Sequence, residues 1–249
     1  MNPFCLIFLL LLSSSPLRSE VLPIAEIHRS VEEGRTLGEA VTTQGIVTLV
    51  HGDSFWIQTA SSRVPEQREG IQVFTSNPAT VGVGDQVRLR AYIDRFRRPD
   101  RERDRVVTRL IQPSDLQILA SDQALPPAIA IGAGGLRVPD SLRDDDPSIV
   151  PTQSASDFWT WLTGMRVEIS DHVVIGPTNR FGDTWVISPS DHPGLNEHSV
   201  LVARQDPDHL DRLQISAHPM LRPDFPRPAH PGDRFRRLEG VVHYAFGGF

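Results

Sequence analysis

Lysine is absent from the 249 residues, so all 25 basic side chains are arginine. Lysine is missing even from segments that read as exposed, which fits the codon bias of a GC-rich genome better than selection for guanidinium chemistry. Cysteine occurs once, at Cys5, which excludes an intrachain disulfide framework and a cysteine-based zinc site. No apolar run approaches the roughly 20 residues that a membrane helix needs. Hydrophobic residues make up 39% and charged residues 22%, low for a globular chain but outside the disordered range. Long helical bundles are disfavoured by the 18 Gly and 21 Pro that punctuate the sequence. A formal charge of −6 and a pI near 5.8 argue against coating nucleic acid by bulk charge and leave only a local basic patch for that purpose.

What is present begins with an export signal. Phe4 to Leu12 form an apolar run that leads into Ser13-Ser14-Ser15-Pro16 and the small residue Ser19, the pattern of a secretory signal peptide over 1–19. The n-region carries no Lys or Arg, and Leu17 occupies the −3 position of that cleavage site. Cys5 lies inside the apolar run and is removed by cleavage. The expected location is periplasmic or extracellular, and no later stretch reads as a membrane span.

From Val41 onward, short β-branched and aromatic runs alternate with Gly, Pro, Asp and Ser, which predicts an all-β chain. The runs fall at 41–50, 54–59, 70–74, 86–96 and 106–111, with a tail strand at 115–119. In the fourth run Val87, Leu89, Ala91 and Ile93 share a core face, and Arg88, Arg90, Tyr92 and Asp94 share the other. On the second run, Trp56 and Gln58 point away from core-facing Phe55 and Ile57. This spacing predicts a small OB-like barrel over 36–120. Gly82 and Gly84 serve the turn into the fourth strand and make no phosphate loop.

Residues 121–156 read as a linker or as a strap over the first domain, with Pro126-Pro127, glycines 132, 134 and 135, and the acidic run Asp144-Asp145-Asp146. Ser156 and Asp157 are placed to cap a short helical turn that carries Phe158, Trp161 and Leu162 and ends at Gly164. Strands at 165–175, 184–188, 199–204 and 238–246 then predict a second OB-like domain over 157–249. A Pro-rich excursion at 219–232 interrupts them. The final run meets no closing turn, so this barrel is expected to be truncated at its C-terminal strand.

Several stretches in order resemble the N-terminal region of secreted bacterial nucleases of the endonuclease/exonuclease/phosphatase superfamily. They are V-T-T-Q-G-I-V-T at 41–48, S-F-W-I-Q-T at 54–59, G-I-Q-V-F-T at 70–75 and V-G-V-G-D-Q-V-R-L at 81–89. L-T-G-M-R-V at 162–167, N-R-F-G-D-T-W-V-I-S at 179–188 and G-V-V-H-Y-A-F-G at 240–247 continue the series. The resemblance implies two OB-like domains ahead of a metal-dependent phosphodiesterase or endonuclease domain, and it covers only the part before that catalytic domain. A natural short protein, a truncated gene and a fragment all fit the residues.

Ser190-Asp191-His192 spells the Ser-Asp-His ending of that superfamily, yet three consecutive side chains point in different directions and form no hydrolytic site alone. The nine histidines, six of them at His192, His198, His209, His218, His230 and His243, follow no metal-ligand spacing. The acidic run lacks the staggered ligands and Gly turn of a calcium loop. No catalytic residue, metal site or cofactor is expected, and the chain is expected to lack hydrolytic activity of its own.

Binding is the stronger expectation. Residues 88–109 hold nine Arg and four Asp or Glu, with Tyr92 and Phe96 interleaved. Guanidinium groups pair with phosphates while aromatic faces stack on bases. The candidate nucleic-acid-binding residues are Arg88, Arg90, Tyr92, Arg97, Arg98, Arg101, Arg103 and Trp56, with Arg97 to Arg105 as the loop between the fourth and fifth strands. Trp159, Trp161 and Trp185 are expected in the core or as lids. The function expected is an exported, non-catalytic module that holds single- or double-stranded DNA or RNA, with a separate nuclease domain or subunit as a further partner. The alternatives are a periplasmic protein-interaction or scaffold module and an inactive remnant of a truncated nuclease.

Overall fold

The computed structural model describes residues 20–59, 67–97, 105–132, 134–139, 155–188, 212–216 and 229–244. The chain enters through α1 (Ile24–Glu32), which starts after Pro23 and is followed by a reversal at Gly34, φ +73°. Ile24, Ile27 and Val31 fall at helical spacing, and all three are buried in the core of the first sheet. The first unit therefore begins upstream of residue 36.

Five strands close the barrel: β1 (Ala40–His51), β2 (Ser54–Gln58), β3 (Gly70–Phe74), β4 (Gln86–Phe96) and β5 (Val107–Ala120). Their order around the barrel is β1-β2-β3-β5-β4, an OB-like arrangement. Long β1 serves two neighbours. It pairs with β4 through Ala40–Ile46 and with β2 through Ile46–His51, and a register shift between Val47 and Leu49 turns it from one to the other. A parallel contact of Gln72–Phe74 with Arg109–Ile111 completes the ring. The two runs read separately at 106–111 and 115–119 are one strand, which absorbs Gln112 and Asp115 at positive φ as local irregularities against β4. Alternation on β4 is as expected, with Val87, Leu89, Ala91 and Ile93 all buried. A helix that contributes three residues to a barrel interior must lie over one of its open ends. His28 Nε2 donating to the Gly70 carbonyl at 2.9 Å marks that end as the start of β3.

The second unit is also β-rich. β7 (Arg166–Val174) is its central strand, with β10 (Arg234–Val241) along one edge. The other edge is shared by β6 (Ile129–Ile131), parallel to residues 167–169, and β8 (Asp183–Ile187), antiparallel at 173–174. β9 (Leu213–Ser216) follows on β8. The region expected to be a linker thus supplies a strand. β6 and β7 are parallel and so need a long crossover, which α2 (Ala155–Leu162) helps to provide. The expected turn is this helix: Phe158, Trp159, Trp161 and Leu162 are buried, and Gly164 at φ +86° ends it. Among the described residues the five strands form an open sheet. The strand expected at 199–204 lies outside the described residues, β9 was not foreseen, and β10 starts earlier than the run expected at 238–246. No helix among the described residues is long and apolar enough to cross a membrane.

Candidate functional site

Pairing fixes which residues share the outside of the barrel. Gln58 faces Gly70, Trp56 faces Gln72 and Ser54 faces Phe74 across β2 and β3. Gln72 and Phe74 continue to Arg109 and Ile111 on β5, and these face Asp94 and Tyr92 on β4. Val107, opposite Phe96, extends the row of Gln58 and Gly70. Three rows result: Gln58, Gly70, Val107 and Phe96; Trp56, Gln72, Arg109 and Asp94; Ser54, Phe74, Ile111 and Tyr92.

The second unit covers the β2 and β3 side of this surface. Gly70 and Gly164 meet backbone to backbone, so tightly that a Cβ on Gly70 would lie 2.2 Å from the Gly164 carbonyl oxygen. Gln58 is buried and its Oε1 accepts from the Arg166 amide at 2.8 Å. Val107 belongs to the buried core of the second unit, the cluster that also holds Trp159 and Met165. Trp56, expected to stack on a base, is 3% exposed, and its ring meets His243 edge-on at 5.1 Å between centroids. It does leave the barrel core as its alternation requires, but another protein surface receives it. His243 is held to a pKa of about 4 by burial and then by the nearby His51.

The β4 side remains open. Tyr92 is 44% exposed and Phe96 36%. Arg90 is exposed between Thr42 and Ser114, and Arg88 is half-buried between Gln44 and Gln117. Arg97 is exposed directly after β4. Arg98, Arg101 and Arg103 lie outside the described residues. Arg105 and Arg109 of the strip are held in ion pairs. Arg105 pairs through Nη1 with the buried Asp157 at 3.1 Å, and its amide donates to the Tyr244 hydroxyl at 3.1 Å. The pair ties the residues just before β5 to α2; because this helix already begins at Ala155, Asp157 lies inside its first turn and serves as an ion-pair partner, not as the cap expected. Arg109 donates through Nε to Asp94 at 2.8 Å, with its guanidinium 3.9 Å from the Phe96 ring centre and 5.0 Å from that of Phe74. Phe74 was not foreseen, although its alternation with Ile71 and Val73 already turns it outward.

A second polar cluster sits under α1. His28 is buried, its Nδ1 has no partner, and its pKa is driven well below the usual value by burial and by the neighbouring Arg68. Because the Gly70 carbonyl can only accept, Nε2 carries the proton in the folded state. Arg68 is itself buried, which lowers its pKa, and it reaches Glu32 at 3.3 Å. Among the described residues no three His, Cys, Asp or Glu side chains gather as a metal site. The Ser190-Asp191-His192 segment and His192, His198, His209 and His218 lie outside the described residues. His230 is exposed, 3.8 Å from Asp233. Trp159 and Trp161 are core residues as expected, whereas Trp185 is half-buried under the Arg212 guanidinium.

A family model matches residues 118–249, more than half of the chain, and is described as a domain of unknown function, DUF8508. The chain belongs to the DUF8508 family. No curated protein matches it. The DUF8508 segment begins in the last residues of β5 and contains α2 and β6 to β10, and with them Gly164, Arg166 and His243, which cover the barrel. Arg88, Arg90, Tyr92 and Phe96 all lie upstream of it.

Proposed function

We propose that this chain is an exported, non-catalytic nucleic-acid-binding protein that uses the β4 side of its barrel. The observation that carries the reading is the placement of Arg90, Tyr92 and half-buried Arg88 on one outward stripe of β4, beyond the cover of the second sheet. The stripe supplies phosphate-pairing cations and an aromatic face in a protein that is otherwise acidic. The motif resemblance to the N-terminal regions of secreted nucleases supports the same reading, and a separate nuclease domain or subunit would supply the chemistry. Fluorescence anisotropy of labelled single-stranded and duplex oligonucleotides across a salt series tests it. Binding should weaken steeply as salt rises, because neutralised phosphates release counterions. No binding to either form at low salt overturns the proposal.

A protein-docking role is the second reading, and it rests on Phe181. This ring is 63% exposed, and its turn is braced by Asn179 Oδ1, which accepts from the amides of Phe181 at 2.8 Å and Asp183 at 3.0 Å. A rigidly displayed aromatic is the usual anchor of a protein interface. Co-purification of a partner that is lost on Phe181→Ser, together with absent oligonucleotide binding, would favour it.

A further inference from the structure

We propose that Asp94 and Arg109 are a positioning pair that makes the open face selective for unpaired nucleobases, so that the ligand is a single-stranded nucleic acid. The inference rests on the nucleic-acid reading above. Arg109 is badly placed to serve a phosphate. Its charge is matched by Asp94, its side chain is only 17% exposed, and its guanidinium lies against both Phe96 and Phe74. What the ion pair accomplishes is geometric. It locks a flat guanidinium between two rings that sit in diagonal positions on β3 and β4, making a ledge that runs across three strands.

Tyr92 adjoins this ledge, two residues from Asp94 on the same face of β4, and Arg90 and Arg88 continue beyond it. Alternate residues of a strand lie about 6.7 Å apart, so the cations follow the aromatic surface as a regular series along β4. A duplex buries its base faces in its own stack and offers only edges in the grooves. A ledge of rings and guanidinium therefore gains little from a duplex, whereas an unpaired base stacks on it whatever its identity. Salt-dependent contacts from the β4 arginines serve both forms.

The test compares the full mature chain with Asp94→Asn, Tyr92→Leu and Arg90→Ala by anisotropy of single-stranded and duplex oligonucleotides over a salt series. Asp94→Asn adds a net positive charge, so attraction by charge alone would tighten binding. The positioning pair predicts the opposite: about fivefold or greater weakening for single strands, an unchanged salt slope and no loss for duplex. Asp94→Glu should restore single-strand affinity. Tyr92→Leu, at an exposed position, should show the same selective loss without disturbing the fold. Arg90→Ala should weaken both forms and reduce the salt slope by about one. Tighter single-strand binding by Asp94→Asn, or equal losses for both forms in Asp94→Asn and Tyr92→Leu, would overturn the positioning pair and leave the nucleic-acid reading standing. So would a wild-type chain that binds duplex as well as single strands. Absence of all binding overturns both.

Discussion

The outside of the barrel is divided between two kinds of surface that begin from the same strand periodicity. On the β2 and β3 side, Gln58, Gly70 and Trp56 turn away from the barrel core and are buried again under the second sheet. On the β4 side, Arg90, Tyr92 and Phe96 turn away from the same core and meet solvent. Composition distinguishes them. The covered side has a bare glycine, an amide and an indole, which suit close backbone approach and dry packing. The open side has guanidinium groups and rings that tolerate water. An outward position is therefore only half a description, because what lies outside decides whether a side chain is structural or available.

The strongest way to break the covered side is to force its backbones apart. Gly70→Ala places a Cβ 2.2 Å from the Gly164 carbonyl oxygen, and Gly164→Ala adds a clash at 2.6 Å with Gly70 to a φ of +86°. Either should cost about 3–5 kcal/mol, read as a large fall in Tm or as separate melting of the two units. Gly176→Ala, with nothing within 4 Å, is the control and should be near neutral.

Acid should weaken the end of the barrel that lies under α1. His28 is neutral when folded, its pKa lowered by burial first and by Arg68 second. The unfolded chain binds a proton at this site below about pH 6.5, so folding stability falls as pH drops through that value, by up to about 1.4 kcal/mol per pH unit. His243 adds a similar loss that ends near pH 4, where its folded form protonates too. Urea titrations at pH 7 and pH 5 measure the fall, and His28→Gln should flatten it.

On the open side, Arg90→Glu should leave folding stability within about 0.5 kcal/mol of wild type while sharply reducing oligonucleotide affinity. If affinity is unchanged, β4 is not the binding stripe. The smallest effect on binding is expected back on the covered side. Trp56 Nε1 is buried without a hydrogen-bond partner, so Trp56→Phe removes an unsatisfied donor while keeping a ring against His243. A change below about 1.5 kcal/mol is expected, with no selective loss of binding.

Much of this division was legible in the residues, and the illegible parts have physical reasons. The strict alternation of Val87 through Ile93 gave the β4 stripe directly. The same rule turned Trp56 outward but could not reveal a partner sheet more than a hundred residues later in sequence. Gln112-Pro113-Ser114-Asp115 reads as a turn, and the barrel instead bends one strand through it. Ile129-Ala130-Ile131 is too short to register as a strand between Pro-Pro and a glycine cluster, and only pairing with β7 makes it one. The helical spacing of Ile24, Ile27 and Val31 was present but was overshadowed by the apolar run just upstream. The start of β10 was hidden by Arg234, Arg236 and Arg237, which are all exposed and leave Phe235 as its one early core residue. The ion pairs of Arg105 and Arg109 were beyond reach, since nothing in a charge count shows which carboxylate a guanidinium will meet.

One strand belongs to both interiors. Val107 and Leu110, three positions apart on β5, are buried in different cores, the first in that of the second unit and the second in that of the barrel. Heat or force that loosens either interior must act on the same short length of backbone. The two units should therefore melt as one cooperative body, and the amides between Val107 and Leu110 should be among the last in the molecule to exchange with deuterium.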